Sequence, residues 1–402
     1  MTHALTQREH DVKIGAAPEG DRVVSVDVLR GVVMFLMLFV NDVAGVDRAP
    51  SWMKHIHPGS ADGMTFVDAV FPAFLFIVGM SIPLAMRSRI AKGDATWKLA
   101  IHAIVRAATL LILGVFMVNM ESREHTGWRA GLWPTLVYVA AIAACVRVPR
   151  FEFGVRVAGA MGLAALAWVY APKGGGWFQA SWWGILGLIG WAYLVGFVVY
   201  LAVRDRPAAL AGAVALLYSL FIADEGGLFS GSIVSDWVSI GGALGTHAAI
   251  TVSGVLLIVL VRQSTATTRR RITTALLYGA TLALAAILLR RPWGINKIAA
   301  TPAWGLWCSA FTCWAWAIFH VLNDVLGWQR GWGVLRDLGR NALLAYLLHP
   351  LFYALLELID TDVWWQLGRR GAAAGVSRSL ALAAVITVVT ALLYHRRVRI
   401  RI

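Results

Sequence analysis

The chain has 402 residues, 59% of them hydrophobic and only 14% charged, more apolar than one water-soluble core of this length needs. An ordinary soluble enzyme is excluded and a membrane protein is indicated. The formal charge of +14 would suit nucleic acid, but the basic residues gather at the rims of apolar runs, so they report topology and no nucleic-acid partner is expected.

Residues 1–22 are polar, and the run after them carries Asp27 and Arg30, so a cleaved secretory signal is not expected. A helix crosses the hydrocarbon layer with about 20 mostly apolar residues. Runs of that kind lie at 24–44, 64–86, 99–118, 130–146, 154–171, 182–202, 207–222, 242–261, 272–289, 303–322, 339–359 and 379–394, the seventh and ninth being short. The expected fold is an all-α polytopic transmembrane bundle of about 11–12 spans. It divides into a cytoplasmic tail (1–22), one membrane domain (23–395) and a basic cytoplasmic tail (396–402). With both termini in the cytoplasm, inner segments hold 23 Lys and Arg and outer ones 11, as the positive-inside rule requires. One outer segment, RRPWGINK at 290–297, breaks the rule: it is either an anion-facing feature or a sign that the ninth run is misplaced. Cys145, Cys308 and Cys313 all fall within runs and form no disulfide framework. The stretch 154–222 is almost free of ionisable groups and reads as lipid-facing scaffold.

Ionisable groups within spans are costly unless paired or wet, so each is a functional candidate. In the first run Asn41 lies about 20° from Arg30 around the helix and Asp27 about 60° from it, so the three should share an inward face, with Asp42 beside them. Asp27 and Arg30 are either an ion pair at the inner rim or part of a site. In the third run Arg106 sits too deep to reach the interface easily. It needs an internal carboxylate, for which Asp27 is the nearest candidate, or an anionic ligand. The loop before the second run holds His55 and His57, and Thr65 with Asp68 has the spacing of a helix-capping box, which is compatible with Asp68 also orienting an imidazole. Pro72 and Pro83 should free carbonyls in that helix. In the late run Asn341 lies near the inner surface and His349 roughly 12 Å deeper, both candidates for a cofactor-facing wall. No HxxxH or HxxE spacing occurs, so no metal is expected.

The motifs DVLRG, LFVND, KH followed by DGMTFVDAVFPAFLFIVGMSIP, then RAATLLILGVFMVN, NKIAATPAW and GRNALLAYLLHP together resemble the heparan-alpha-glucosaminide N-acetyltransferase family, above all its bacterial NagX-type inner-membrane members. The resemblance implies a multi-pass enzyme of the bacterial inner membrane that takes acetyl-CoA from the cytoplasm and acetylates an amino sugar or glycan on the periplasmic side. It implies His55 as the catalytic histidine and Asn41 as its partner; homodimerisation is an expectation from the family alone. Here His57 is an extra histidine and SAD replaces a tryptophan-containing tripeptide, so both imidazoles remain candidates.

Acetyl transfer from a thioester needs a base, an oxyanion stabiliser and a hold on both reactants. His55 suits the base with Asp68 as its orienting carboxylate, Asn41 can donate to the oxyanion or steer the amine, and Arg30 and Arg106 can meet the CoA phosphates. A polar path from the inner rim to His55 would let the reactants meet. Direct transfer and an acetyl-histidine intermediate both stay open, as do an amine and a hydroxyl acceptor. The competing expectation is a proton-coupled amino-sugar transporter using the same polar face, although no inverted repeat is visible.

Overall fold

The computed structural model describes residues 23–56, 61–121, 131–148, 151–170, 177–263, 267–328 and 330–400. His57 and both extreme tails lie outside the described residues. Each apolar run becomes helical: α1 (Val24–Val43), α2 (Phe66–Ile90), α3 (Thr96–Glu121), α4 (Leu132–Cys145), α5 (Glu152–Trp168), α6 (Ile185–Val203) and α7 (Pro207–Glu225). After the short α8 (Ile233–Trp237), a π-helical stretch (Ile240–His247) leads into α9 (Ala248–Gln263), followed by α10 (Thr268–Trp293). Then α11 (Pro302–Phe319) runs on through a second π-helical stretch (His320–Val325), and α12 (Gly333–Arg340), α13 (Ala342–Leu358), α14 (Val363–Arg369) and α15 (Ala372–His395) complete the bundle. The sheet content described is one antiparallel pair, β1 (Val146–Arg147) with β2 (Arg399–Ile400).

Nine helices among the described residues are long and apolar enough to cross a membrane, and a tenth span results if α12 and α13, bent by 87°, count as one. This is fewer than the 11–12 expected, and the shortfall lies in the fourth and fifth runs. There α4 keeps 14 residues, starting after Gly131 (φ +77°) and giving way to the β1 strand, and α5 keeps 17, starting after Phe151 (φ +62°) and stopping at Trp168. The seventh and ninth runs, short in sequence, extend into helices of 19 and 26 residues.

The span Ile240–Gln263 is the axis of the bundle, 89% of its apolar window being enclosed by protein against 28% for α7 and for α10. It meets α2 at two glycines. A Cβ on Gly79 would stand 1.8 Å from the Thr251 carbonyl oxygen, and one on Gly254 would stand 2.0 Å from that of Phe76. Glycine at both contacts lets the backbones touch, which is how helices associate where lipid removes the hydrophobic drive. This close crossing fixes α2, which carries Asp68 at its first turn. The described chain ends meet at the opposite end of the bundle. There the Ser25 amide donates to Asp324 Oδ1 (3.3 Å), while Asn341 donates through Nδ2 to the Val398 carbonyl (3.2 Å) and accepts from the Ile400 amide (2.9 Å).

Candidate active site

Two loop segments, residues 54–56 with 61–65 before α2 and residues 294–301 between α10 and α11, build the site. Asp68, at the third position of α2, uses its two oxygens separately. Oδ2 accepts the Thr65 backbone N–H (3.0 Å), which caps the helix, and Oδ1 lies 2.6 Å from His55 Nδ1. An ionised carboxylate only accepts hydrogen bonds, so Nδ1 is the donor in this contact, and in the neutral ring Nε2 is the nitrogen with the lone pair. The capping and orienting readings of Asp68 therefore both describe it. Thr65 reinforces the loop by donating Oγ1–H to the Lys54 carbonyl (2.8 Å).

Pro72 lies four residues after Asp68 and has no N–H to give the Asp68 carbonyl. Trp304 of α11 fills the gap, its indole N–H donating to that carbonyl at 3.1 Å. Behind Trp304 lies His247, buried, its Nδ1 2.8 Å from the Gly242 carbonyl and its ring 5.8 Å from the Trp304 ring and 5.6 Å from Phe71. Nothing in the sequence singled out His247: a lone histidine in an apolar run has no spacing signature.

The second loop is stitched to the first. Asp62 Oδ1 accepts the Ile295 amide (2.8 Å) and Oδ2 the Arg290 Nε–H (3.1 Å). The Gly63 amide donates to the Ile295 carbonyl (2.8 Å), and Asn296 Nδ2 donates to that of Ala61 (3.1 Å). The Ile295 N–H, with Arg290 adding to it, holds the Asp62 carboxyl below the usual carboxylate range. These bonds deliver Lys297, whose Nζ stands 3.2 Å from His55 Nδ1 and 3.1 Å from Nε2. Burial pushes the Lys297 ammonium below its ordinary value, with Asp68 acting the other way. His55, Gly63, Asp68, Asn296 and Lys297 line a cavity of about 240 Å³. The sequence did not single out Lys297 as a site residue, yet it carried a signal: Lys297 belongs to RRPWGINK, the segment that departs from the expected charge rule. Within that segment Arg290 pairs with Asp62 of SAD, and the ninth run is a helix, Thr268–Trp293.

Other expectations fare differently. Asn41 is exposed and does not line the cavity, whereas its neighbour Asp42 is buried, so the inward face of α1 at this end belongs to Asp42. Asp42 accepts from the hydroxyls of Tyr353 and Ser379, from Trp364 Nε1 (3.3 Å) and from Arg378 Nη2 (3.2 Å), a buried lock joining α1, α13, α14 and α15. His349 packs beside Tyr353, ring centres 5.1 Å apart, with its Nε2 unbonded. Asn341 spends its amide on the C-terminal strand.

At the opposite end Asp27 bonds Arg30 (3.2 Å) and Arg340 (3.1 Å), and Arg30 also donates to Ser81 Oγ (2.6 Å). Asp27 is thus not the partner of Arg106. Arg106 lies over the Tyr193 ring, 4.8 Å from its centre, and its Nε is buried without a hydrogen-bond partner. With Ser81, Arg89, His102 and Tyr193 it lines a second cavity of about 110 Å³. The two cavities share no lining residue and lie toward opposite ends of α2.

Comparison with known proteins supports the resemblance at the level of family relationship. The chain is 38% identical over 99 residues to heparan-alpha-glucosaminide N-acetyltransferase of Homo sapiens and 39% identical over 100 residues to that of Mus musculus. Those stretches cover 24% and 25% of this chain but 14% of the length of each relative. Residues 22–240 match the family described as a domain of unknown function, DUF5009. Since that match takes in more than half of its residues, the chain belongs to the DUF5009 family.

Proposed function

We propose that the chain is a membrane-embedded acetyltransferase that moves an acetyl group from acetyl-CoA to the amine, or a hydroxyl, of an amino sugar. The observation that carries this reading is the 2.6 Å contact between His55 Nδ1 and Asp68 in a cavity that leaves Nε2 as a base. The partial likeness to enzymes named as N-acetyltransferases supports it. Nε2 of His55 takes a proton from the attacking nitrogen as the C–N bond forms and the carbonyl pair moves to oxygen. When that pair returns, the C–S bond breaks, its electrons leave on sulfur, and the sulfur takes the proton His55 holds. The products are an amide and free CoA thiol.

For the donor, the residues of the second cavity fit phosphate chemistry: Arg106 carries an unbonded buried N–H, and Arg89 and His102 lie beside it. From Asp68 to Ser81 along α2 is about 20 Å, the span an extended arm must bridge to bring a thioester to His55. The excess of Lys and Arg at the Arg106 end supports an orientation with that end, and both termini, in the cytoplasm and His55 on the periplasmic side of a bacterial inner membrane.

The test is LC-MS detection of N-acetylglucosamine and free CoA from purified full-length protein in detergent given acetyl-CoA and glucosamine. Turnover is expected for the wild type, and His55→Ala should lose at least about 100-fold. Sugar uptake into proteoliposomes with no acetylated product would replace this reading with transport.

A further inference from the structure

The geometry points to Lys297 as a catalytic residue: its ammonium group receives the thioester carbonyl oxygen as negative charge builds there, the role the sequence had given to Asn41. This rests on the acetyltransferase reading above. Three observations carry it. Lys297 lines the same cavity as His55 and Asp68, whereas Asn41 does not. Its Nζ is almost equidistant from the two imidazole nitrogens, at 3.2 and 3.1 Å, a position that clears Cε1 only over the ring face, away from either in-plane lone pair. A donor held that loosely can turn to a ligand oxygen placed beside Nε2. Lastly, among the described residues no carboxylate stands within ion-pair distance of Lys297, since Asp68 spends its oxygens on His55 and Thr65.

The scaffold around Lys297 is rigid where a catalytic cation needs it to be. Asn296 donates its amide N–H to Thr301 Oγ1 (3.0 Å) and accepts the Ala299 amide on Oδ1 (2.9 Å), and Thr301 Oγ1 donates to the Gly294 carbonyl (3.0 Å). In the reaction Lys297 transfers no proton. As the acceptor nitrogen bonds to the carbonyl carbon, the π pair moves to oxygen and the ammonium N–H donates to that oxygen. When the pair returns and the C–S bond breaks, the contact weakens again. A preorganised donor of this kind acts on the transition state more than on the bound substrate.

The charged and titratable groups facing Lys297 are His55 and Asp68 from the first loop and α2, His247 from the axial span and Cys308 from α11. The catalytic form is the cation, so kcat should fall as pH rises through the depressed Lys297 value, giving an alkaline limb below that of an ordinary lysine. An arginine at this position does not titrate below about pH 12.

The experiment compares wild type, Lys297→Met and Lys297→Arg as full-length protein in detergent, each first checked for thermal unfolding, with kcat and KM measured from pH 6 to 10. Expected are a loss in kcat of about 10²–10³-fold for Lys297→Met with KM changed far less, partial activity in Lys297→Arg, and an alkaline limb displaced upward in that variant. Wild-type turnover with a Lys297→Met kcat within threefold of it overturns the role of Lys297 and leaves the acetyltransferase reading standing. So does a raised KM at unchanged kcat, or a Lys297→Arg profile with its alkaline limb unmoved. Absence of wild-type turnover overturns both.

Discussion

Asp68 receives N–H donors on both oxygens, His55 on Oδ1 and the Thr65 and Ile56 amides on Oδ2, and these need a negative acceptor. In Asp68→Asn one of those positions becomes an NH₂ group facing another donor, and the variant must either release the helix cap or turn the His55 ring. Either way Nε2 no longer presents a reliable lone pair. We expect kcat to fall by about 10²–10⁴-fold, with CoA binding, judged by thermal shift, retained because the Arg106 cavity is untouched. A near-wild-type kcat would show that His55 does not depend on this carboxylate. Asp62 illustrates the same economy in structural form: one side chain answers a backbone amide and Arg290, so the tripeptide SAD becomes the stitch between the two site loops.

At the scale of elements, the position of Asp68 is decided by how α2 lies on the axial span. The crossing works because Gly79 and Gly254 present no side chain to the opposing carbonyl oxygens. Gly79→Val would drive methyl groups into Thr251 and separate the two helices, moving the first turn of α2 away from the loop that carries Lys297. Destabilisation of ~3 kcal/mol is expected, read as a lowered thermal midpoint in detergent together with lost turnover. Gly93, which has open space around it, should by comparison tolerate alanine apart from the strain of its φ of +85°. Proline has the complementary role. Pro72 removes a donor from the helix ladder, and the vacancy is taken by Trp304, so the freed carbonyl expected from sequence becomes a tether between α2 and α11.

On the scale of the whole molecule, two chambers stand at opposite ends of α2, one with a histidine base and one with cationic groups. If the second receives CoA, free CoA at 100 times its Kd should stabilise the fold by about 2.7 kcal/mol and raise the thermal midpoint, and Arg106→Ala should abolish that shift while leaving the unliganded midpoint within a few degrees. A shift that survives Arg106→Ala would place the donor elsewhere.

The sequence by itself determined the all-helical membrane fold, because lipid admits only helices or closed barrels and the twelve apolar runs are too long and too uniform for barrel strands. It also determined the chemistry to look for, since His55, Asp68 and the capping spacing are local: the residues are close in the chain, and a helix start fixes their geometry. Tertiary structure alone decided the rest. Which helix is the axis could not be read, because a helix buried among helices and one facing lipid share the same apolar composition. Asn41 and Asp42 are adjacent on one helix, and only the arrival of Arg378, more than three hundred residues later, makes Asp42 the buried one. Lys297 likewise reaches His55 across 242 positions of sequence, a distance over which no periodicity carries information and only the folded backbone can bring an ammonium to an imidazole.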